Sequence, residues 1–315
     1  MIVRDVLYGI FTIKEPVIIE LIQSPAVQRL KKVAQQGIPD PHYFGRNYSR
    51  FEHSVGVMLL LRRLGASIEE QAAGLLHDVS HLAFSHIADF MFGTVGKNNF
   101  QDTIHKRFIE KTSIPEILSK YGYSKKRMLD LKNHSLLEQD IPEMCADRVD
   151  YALRELFYWK HKPYDLSTII NHNGIITFSN KKTACKFAHD FLMLQILDWG
   201  RPRSLALYTF FAETLLYAIK NKVLRKEDFF EKDDQQIITT LLRSGDAKII
   251  NVVKSLKKSD SVKIPIFNRV VKTKFRYVNP GFIENGTIKR VMDIDSVFAK
   301  RVHSARIVTN NGMKI

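Results

Sequence analysis

A chain of 315 residues with 45% apolar and 26% charged side chains can bury one large core or two modest ones, which excludes a disordered or low-complexity polymer. Two cysteines, Cys145 and Cys185, are too few for a disulfide framework, so a reducing compartment and a cytoplasmic location are expected. The formal net charge of +15 makes phosphate, nucleic acid or an anionic surface the partners to consider, although counting charges does not place them on a surface.

The first 22 residues are apolar in parts, but Arg4, Asp5, Lys14 and Glu15 interrupt them before signal-peptide or membrane-span length, and no membrane anchor is expected. From Pro16 to Gln35 the residues Val17, Ile18, Leu21, Ile22, Leu30 and Val33 recur at helical spacing, and Ser24-Pro25 marks a break, so two short helices are predicted. Gly37 to Pro41 forces a turn, and His42 to Arg50 reads as an ordered loop. Helices are predicted from Phe51 through Leu64 and from Ile68 to Val79, and amphipathic segments continue to about residue 160, broken at Gly93, Gly96 and Gly122.

Gly174 to Phe178 is short and β-branched, and with Ser179-Asn180 read as a turn it predicts a hairpin or edge strand, a small insertion. Helices are predicted again over 183–197, 204–220 and 235–242. Beyond about residue 260, alternating Val, Ile, Phe and Tyr with turn signals at Asn279-Pro-Gly281 and Asn285-Gly286 predict strands. The expectation is a mostly α protein with small β elements, a helical core over 1–258 and a basic, strand-rich C-terminal module over 259–315. Residues 260–315 carry eleven Lys and Arg against four Asp and Glu, nearly half the excess charge, so any nucleic-acid contact is expected through that tail.

The chemistry-bearing residues fall in three segments: Arg50-Phe-Glu-His53, then His77 to Asp89 with His81 and His86 inside it, then Asp147-Arg-Val-Asp150-Tyr151. Imidazole and carboxylate suit first-row divalent metals that keep positions open for water. On a continuous helix His77 and His81 would share a face. The adjacent His77 and Asp78 could chelate one ion only where their helix lies against other ligand-bearing helices. Taken singly, each has a simpler reading: a lone His on an apolar helix is more often a satisfied core residue, and Asp147 could pair with Arg148 or Arg154. Taken together, they follow the apolar run Ala72 to Leu76 into a buried setting where unpaired polar groups are costly and a metal offsets the cost.

At these residues the sequence resembles the HD-domain phosphohydrolases, whose signature is a His, a later His-Asp pair and a still later Asp. The resemblance is strongest to the dNTP triphosphohydrolase branch, through Arg-Phe-Glu-His-Ser at 50–54, His-Asp-x-x-His-x-x-Phe-Ser-His at 77–86 and Asp-Arg-Val-Asp-Tyr at 147–151. It covers about residues 1–245 and weakens after 160. It implies a helical bundle around one divalent metal held by His53, His77, Asp78 and Asp147, with manganese, iron, nickel, zinc and magnesium all admissible and a second metal compatible with the extra histidines.

The resemblance further implies that His81 faces phosphate and that His105 is a catalytic histidine oriented by Asp89. Gln35, Arg148 and Tyr151 match sugar- and phosphate-side positions, Arg50 joins His81 and Arg148 in neutralising phosphate charge, and His86 is a phosphate contact or a support for the ligands. Phe210 and Ala212 stand where the branch usually carries a Tyr and then a His. That predicts the loss of a sugar-holding hydroxyl and relaxed discrimination between ribo- and deoxyribonucleotides, Tyr208 being expected to point elsewhere. The activity implied is hydrolysis of a nucleoside triphosphate to nucleoside and tripolyphosphate, by a homo-oligomer. The alternatives are a nucleoside monophosphatase, a phosphodiesterase, or a nucleotide- or nucleic-acid-binding protein with weak turnover.

Overall fold

Prolines and capping side chains set most of the element starts in the computed structural model of the chain, which describes residues 1–38, 48–96, 100–256 and 264–315. An N-terminal hairpin of β1 (Ile2–Asp5) and β2 (Gly9–Thr12) leads into α1 (Pro16–Gln23) and α2 (Pro25–Arg29), split where Ser24-Pro25 predicted. Each opens on a proline, whose missing N–H would have had no helical partner there. Of the loop expected over 42–50, residues up to 47 lie outside the described residues.

α3 (Arg50–Arg63) begins with a capping box: Ser49 Oγ accepts from Glu52 N, and the Glu52 carboxylate accepts from Ser49 N at 2.8 Å. This sets Arg50 and His53 in the first turn, beside the segment that carries Gln35, since Gln35 N donates to Tyr48 O and Arg50 N to Val33 O. α4 (Ile68–Leu76) is capped by Ser67 and ends three residues before Val79, so His77 and Asp78 occupy a turn. The shared-face argument for His77 and His81 on one helix therefore does not apply.

α5 (Ile87–Phe92), α6 (Phe100–Ile109), α7 (Ile114–Lys120) and α8 (Lys125–Leu129) carry the chain round to α9 (Ala146–Lys160). α3 and α9 cross at Gly56, where a Cβ would overlap the Arg154 guanidinium and the Asp150 carboxylate. Close approach of these two helices is what brings the first and last motifs together.

A hairpin of β3 (Ile169–His172) and β4 (Ile175–Phe178) follows. Its turn is Asn173-Gly174, with φ of 52° and 81°, which matches the twist of a two-residue hairpin. Ser179-Asn180, read from sequence as the turn, instead starts α10 (Lys181–Leu194), where the Asn180 side chain accepts from Thr183 N at 2.9 Å. α10 runs on through a π-helical turn at Gln195–Trp199, followed by α11 (Pro202–Lys220), α12 (Asp228–Glu231), α13 (Asp234–Leu242) and α14 (Ala247–Leu256).

The tail holds β5 (Val270–Val271), β6 (Gly281–Glu284), β7 (Thr287–Arg290), α15 (Val291–Ile294), α16 (Ser296–Asn311) and β8 (Met313–Lys314). The Asn285-Gly286 turn joins β6 to β7 as expected. Alternating residues did not announce α16, which Asp295 caps by accepting from Phe298 N, and which buries Phe298 and Val302 one turn apart. The tail's strands also join the rest of the chain: β6 runs parallel to β4, giving one sheet of order β3-β4-β6-β7. The expected boundary at 258/259 lies outside the described residues.

The fold is thus mostly helical around two main apolar clusters. One gathers α1, α3, α4, α9, α10 and the four-stranded sheet, with Leu60, Leu75, Val149 and Phe187 at its centre. The other gathers Phe84, Phe211, Phe229 and Ile237 with α11, α13 and α14. Among the described residues no helix is long and apolar enough to cross a membrane.

Asp234, at the first position of α13 and 1% exposed, ties the second cluster to the segments beside the site: its carboxylate accepts from Ala34 N at 2.8 Å and Phe84 N at 2.7 Å. Burial pushes this carboxyl up to about 7, against those two hydrogen bonds. Asp234→Ala leaves two buried N–H groups without acceptors, and we expect it to cost on the order of 2–4 kcal/mol in urea unfolding. A loss below about 0.5 kcal/mol, the scale of an ordinary surface change, would refute the role.

Candidate metal centre

His53 from α3, His77 at the end of α4 and Asp147 from α9 offer three ligand atoms within 4.8 Å of one another, though 94 residues separate the first from the last. His53 Nε2 lies 2.9 Å from Asp147 Oδ1, and His77 Nε2 lies 3.4 Å from the same oxygen. Asp78 closes the set, one carboxylate oxygen 3.6 Å from His53 Nε2 and the other 3.6 Å from His77 Nε2. The four residues named from sequence therefore converge.

Their tautomers suit a cation. The His77 ring donates from Nδ1 to Gly74 O at 2.7 Å, and its Nε2 is buried without a hydrogen-bond partner among the described residues. The His53 ring donates from Nδ1 to Asp150 Oδ2 at 2.7 Å, so both imidazoles turn an Nε2 lone pair toward two carboxylates. Burial disfavours the protonated rings, yet Asp78 and Asp147 outweigh it at His77, pushing it up to about 10, and Asp147 and Asp150 outweigh it at His53, which also shifts upward. Burial likewise opposes charge on Asp147, but the two imidazoles hold its pKa well below the usual carboxylate range. Such concentrated, buried negative charge is what a divalent ion neutralises, so the donor set fits the metal.

Asp150 carried no assigned role in the sequence reading. It lies three residues after Asp147, hence on the same face of α9, and it is fully buried between His53 and the Arg154 guanidinium, 2.8 Å away. Arg154 reaches on to Asp5 at 2.6 Å, so the N-terminal hairpin is wired to a ligand through two ion pairs. The signal for it was present, an Asp-x-x-Asp spacing with Arg four residues further on.

Around the ligands, Arg50 donates to Asp78 at 2.5 Å, to Ser85 Oγ at 3.0 Å and to Gln35 O at 3.2 Å. His81 Nε2 sits 3.3 Å from Asp78, and burial together with Arg50 lowers it to about 3, so it is neutral. His86 Nε2 receives a hydrogen bond from Arg50 at 3.1 Å, while its Nδ1 faces Asp89 at 3.7 Å. Asp89 is held in turn by Thr94 Oγ1 and Phe100 N.

The pairing of Asp89 with His105 expected from sequence does not form. His105 Nδ1 meets Ser80 Oγ at 2.8 Å and Gln101 Nε2 at 3.2 Å, and the ring is not among the residues lining the cavity. Gln101 and Asp102 of α6 line the cavity, but His105, one turn on, packs on Ser80 and supports the His77–Ser80 turn, and the histidine on Asp89 is His86.

A cavity of about 410 Å³ opens from the ligands and is walled by residues of both apolar clusters. Gln35 lines it with a buried Oε1 that has no hydrogen-bond partner among the described residues, and Tyr151 lines it too, its ring 6.4 Å from His53 and 5.5 Å from Trp199. Arg148 also lines the cavity, but its guanidinium is engaged by Glu138 at 3.2 Å and by the Glu143 and Gln139 carbonyls.

The expected register of α11 is also corrected. Ser204, Leu205 and Tyr208 face the cavity, and Tyr208 Oη donates to Gln36 Oε1 at 3.4 Å. Phe210 and Ala212 pack into the second apolar cluster, so the missing hydroxyl inferred there concerns a face that does not meet substrate. The motive for relaxed sugar discrimination falls with it. Gln195, Trp199, Lys274 and Arg276, none of them singled out from sequence, complete the walls.

The comparisons follow this geometry. Residues 50–154 match the family model described as HD domain. The chain is 34% identical over 302 residues to the uncharacterized protein YdhJ of Bacillus subtilis, spanning 92% of this chain and 91% of that one. It is 39% identical over 155 residues to the metal-dependent phosphohydrolase cns2 of Cordyceps militaris, spanning 49% of this chain and 45% of that one. A 143-residue stretch is 27% identical to the deoxynucleoside triphosphate triphosphohydrolase SAMHD1 of Bos taurus, 38% of this chain and 24% of that one.

Proposed function

The chain belongs to the HD-domain superfamily of metal-dependent phosphohydrolases, and on that premise we propose that it hydrolyses a nucleoside triphosphate to the nucleoside and tripolyphosphate. One observation carries the substrate reading: the cavity runs from the His and Asp ligands to walls of amide and aromatic groups. Its lining includes Gln35, whose buried Oε1 has no hydrogen-bond partner among the described residues, together with Tyr151, Trp199 and Tyr208. Volume of this order accommodates a nucleoside, aromatic walls suit a sugar and base, and an orphaned buried acceptor suits a sugar hydroxyl. The named activity of the bovine relative agrees with this reading.

A divalent metal held by His53, His77, Asp78 and Asp147 supplies Lewis acidity at the scissile phosphoryl group and toward water. The remaining work falls to the chain's own groups. Arg50, locked in place by Asp78, Ser85 and the Gln35 carbonyl, presents a fixed guanidinium where charge develops on the phosphoryl oxygens. Once a substrate phosphate oxygen takes over the Arg50 N–H, His86 Nε2 is free to take the proton that water releases and pass it to the nucleoside oxygen as its bond to phosphorus breaks and water's oxygen takes its place. His81, neutral, is a hydrogen-bonding partner for a phosphate oxygen.

A second reading has its own observation. Glu138, Cys145 and Asp147 form another group of three donors that share Asp147 with the first, which would favour two metals and a phosphomonoester or phosphodiester substrate. Burial, however, pushes the Cys145 thiol strongly upward, away from a thiolate ligand, and Glu138 is paired with Arg148. A screen of ribo- and deoxyribonucleotides with manganese, resolving tripolyphosphate, pyrophosphate and orthophosphate, decides between them. Tripolyphosphate as the first-formed product is expected. Orthophosphate or pyrophosphate alone would sink the triphosphohydrolase reading.

A further inference from the structure

We propose that Lys274 is the specificity residue for polyphosphate, the cation that holds the phosphates distal to the scissile bond. The inference rests on the nucleotide-phosphate reading above and deepens it. The tail that carries nearly half of the chain's excess positive charge contributes part of the cavity wall, through Thr273, Lys274 and Arg276. Phe275 and Tyr277 turn inward onto the first apolar cluster, stacked on each other at 5.5 Å with Arg306 over both rings. Lys274 and Arg276, one residue either side of Phe275, line the cavity.

The segment is held at both ends. β5 is paired with β8 just before it, and Arg276 N donates to the Gln195 side chain at 3.1 Å. It is therefore a built wall, whose position follows from sheet pairing and aromatic packing.

Four cations line the cavity among the described residues. Arg50 is engaged by Asp78, Arg148 by Glu138 and two carbonyls, and Arg276 lies in the field of Glu155, His86 and Tyr151. Lys274 is exposed and enters no hydrogen bond or ion pair among the described residues. The cavity also bears Asp89, Asp102 and Asp198, carboxylates that a substrate with several phosphates must approach and that a cation offsets. An ammonium on a flexible stem suits this task, since it can follow a mobile phosphate chain as a point charge.

The test is calorimetric titration of the metal-loaded protein and of Lys274→Gln with inorganic tripolyphosphate and with orthophosphate. Lys274→Gln is expected to weaken tripolyphosphate by about tenfold or more, the usual size of one charge-assisted contact, and orthophosphate by less than about threefold. Metal content stays unchanged, and Lys274→Arg restores most of the affinity. Equal tripolyphosphate affinity in the native protein and Lys274→Gln overturns the inference, as does a native protein that does not bind tripolyphosphate. If the native protein binds it through Lys274 but cleaves no nucleoside triphosphate, the proposed reaction fails while the assignment of Lys274 stands.

Discussion

Replacing Asp147 or Asp78 by Ala is expected to remove the metal and lower turnover by on the order of 10³-fold or more, several kcal/mol of transition-state stabilisation. Asp147 contributes the oxygen that both His53 and His77 face, so its loss leaves two imidazole lone pairs converging on nothing. Asp78 has a second task, because it anchors Arg50, and its loss also frees the guanidinium that faces the phosphoryl group. Asp150→Asn separates ligation from support. It touches His53 only through Nδ1, so metal affinity should fall by roughly 10–100-fold, the usual effect of a partner behind a ligand. Elemental analysis of purified protein together with product quantification checks all three. A folded Asp147→Ala protein that keeps a full complement of metal would defeat the ligand assignment.

The second large effect is expected at His86. His86→Ala should keep its metal and lose about 10²–10⁴-fold in kcat, the range for removing a general acid. Asp89→Asn should cost less, since Asp89 acts through His86 at 3.7 Å and the ring keeps its contact with Arg50. His105→Ala should cost at least about tenfold less than His86→Ala, because His105 touches Ser80 and Gln101 behind the His77 turn and does not line the cavity. Single-turnover rates at saturating metal compare the three. If His105→Ala proves the more damaging, the histidine assignment made from sequence is right and the one made from geometry is wrong.

Much of the metal centre was legible before any coordinates. Donor chemistry marks His and Asp as metal-ligand types, and the resemblance to the HD-domain signature is what picked out His53, His77, Asp78 and Asp147 among them. Helical periodicity, prolines and caps likewise marked most helices, and Asn285-Gly286 marked a hairpin. Other features were misread for identifiable reasons. α11 is apolar nearly all round, with Leu205, Leu207, Phe210, Phe211 and Leu215 distributed about its axis, so its sequence carries little phase information. Only packing against the second apolar cluster turned Tyr208, and not Phe210, toward the cavity.

Composition and local pattern determined by themselves that the chain is mostly helical, and the motif resemblance singled out the four residues proposed to hold a divalent metal. These depend on side-chain type and on periods of a few residues, which sequence records directly. Tertiary structure alone decided that His105 does not meet Asp89, since His105 packs on Ser80 and Gln101, although the His86–Asp89 pair that does form spans only three residues. It alone decided that Glu155, Trp199 and the tail's Lys274 share a cavity with Asp147. Those contacts join residues from well-separated parts of the chain through helix crossing and strand pairing, and no short-range spacing rule carries information over such separations.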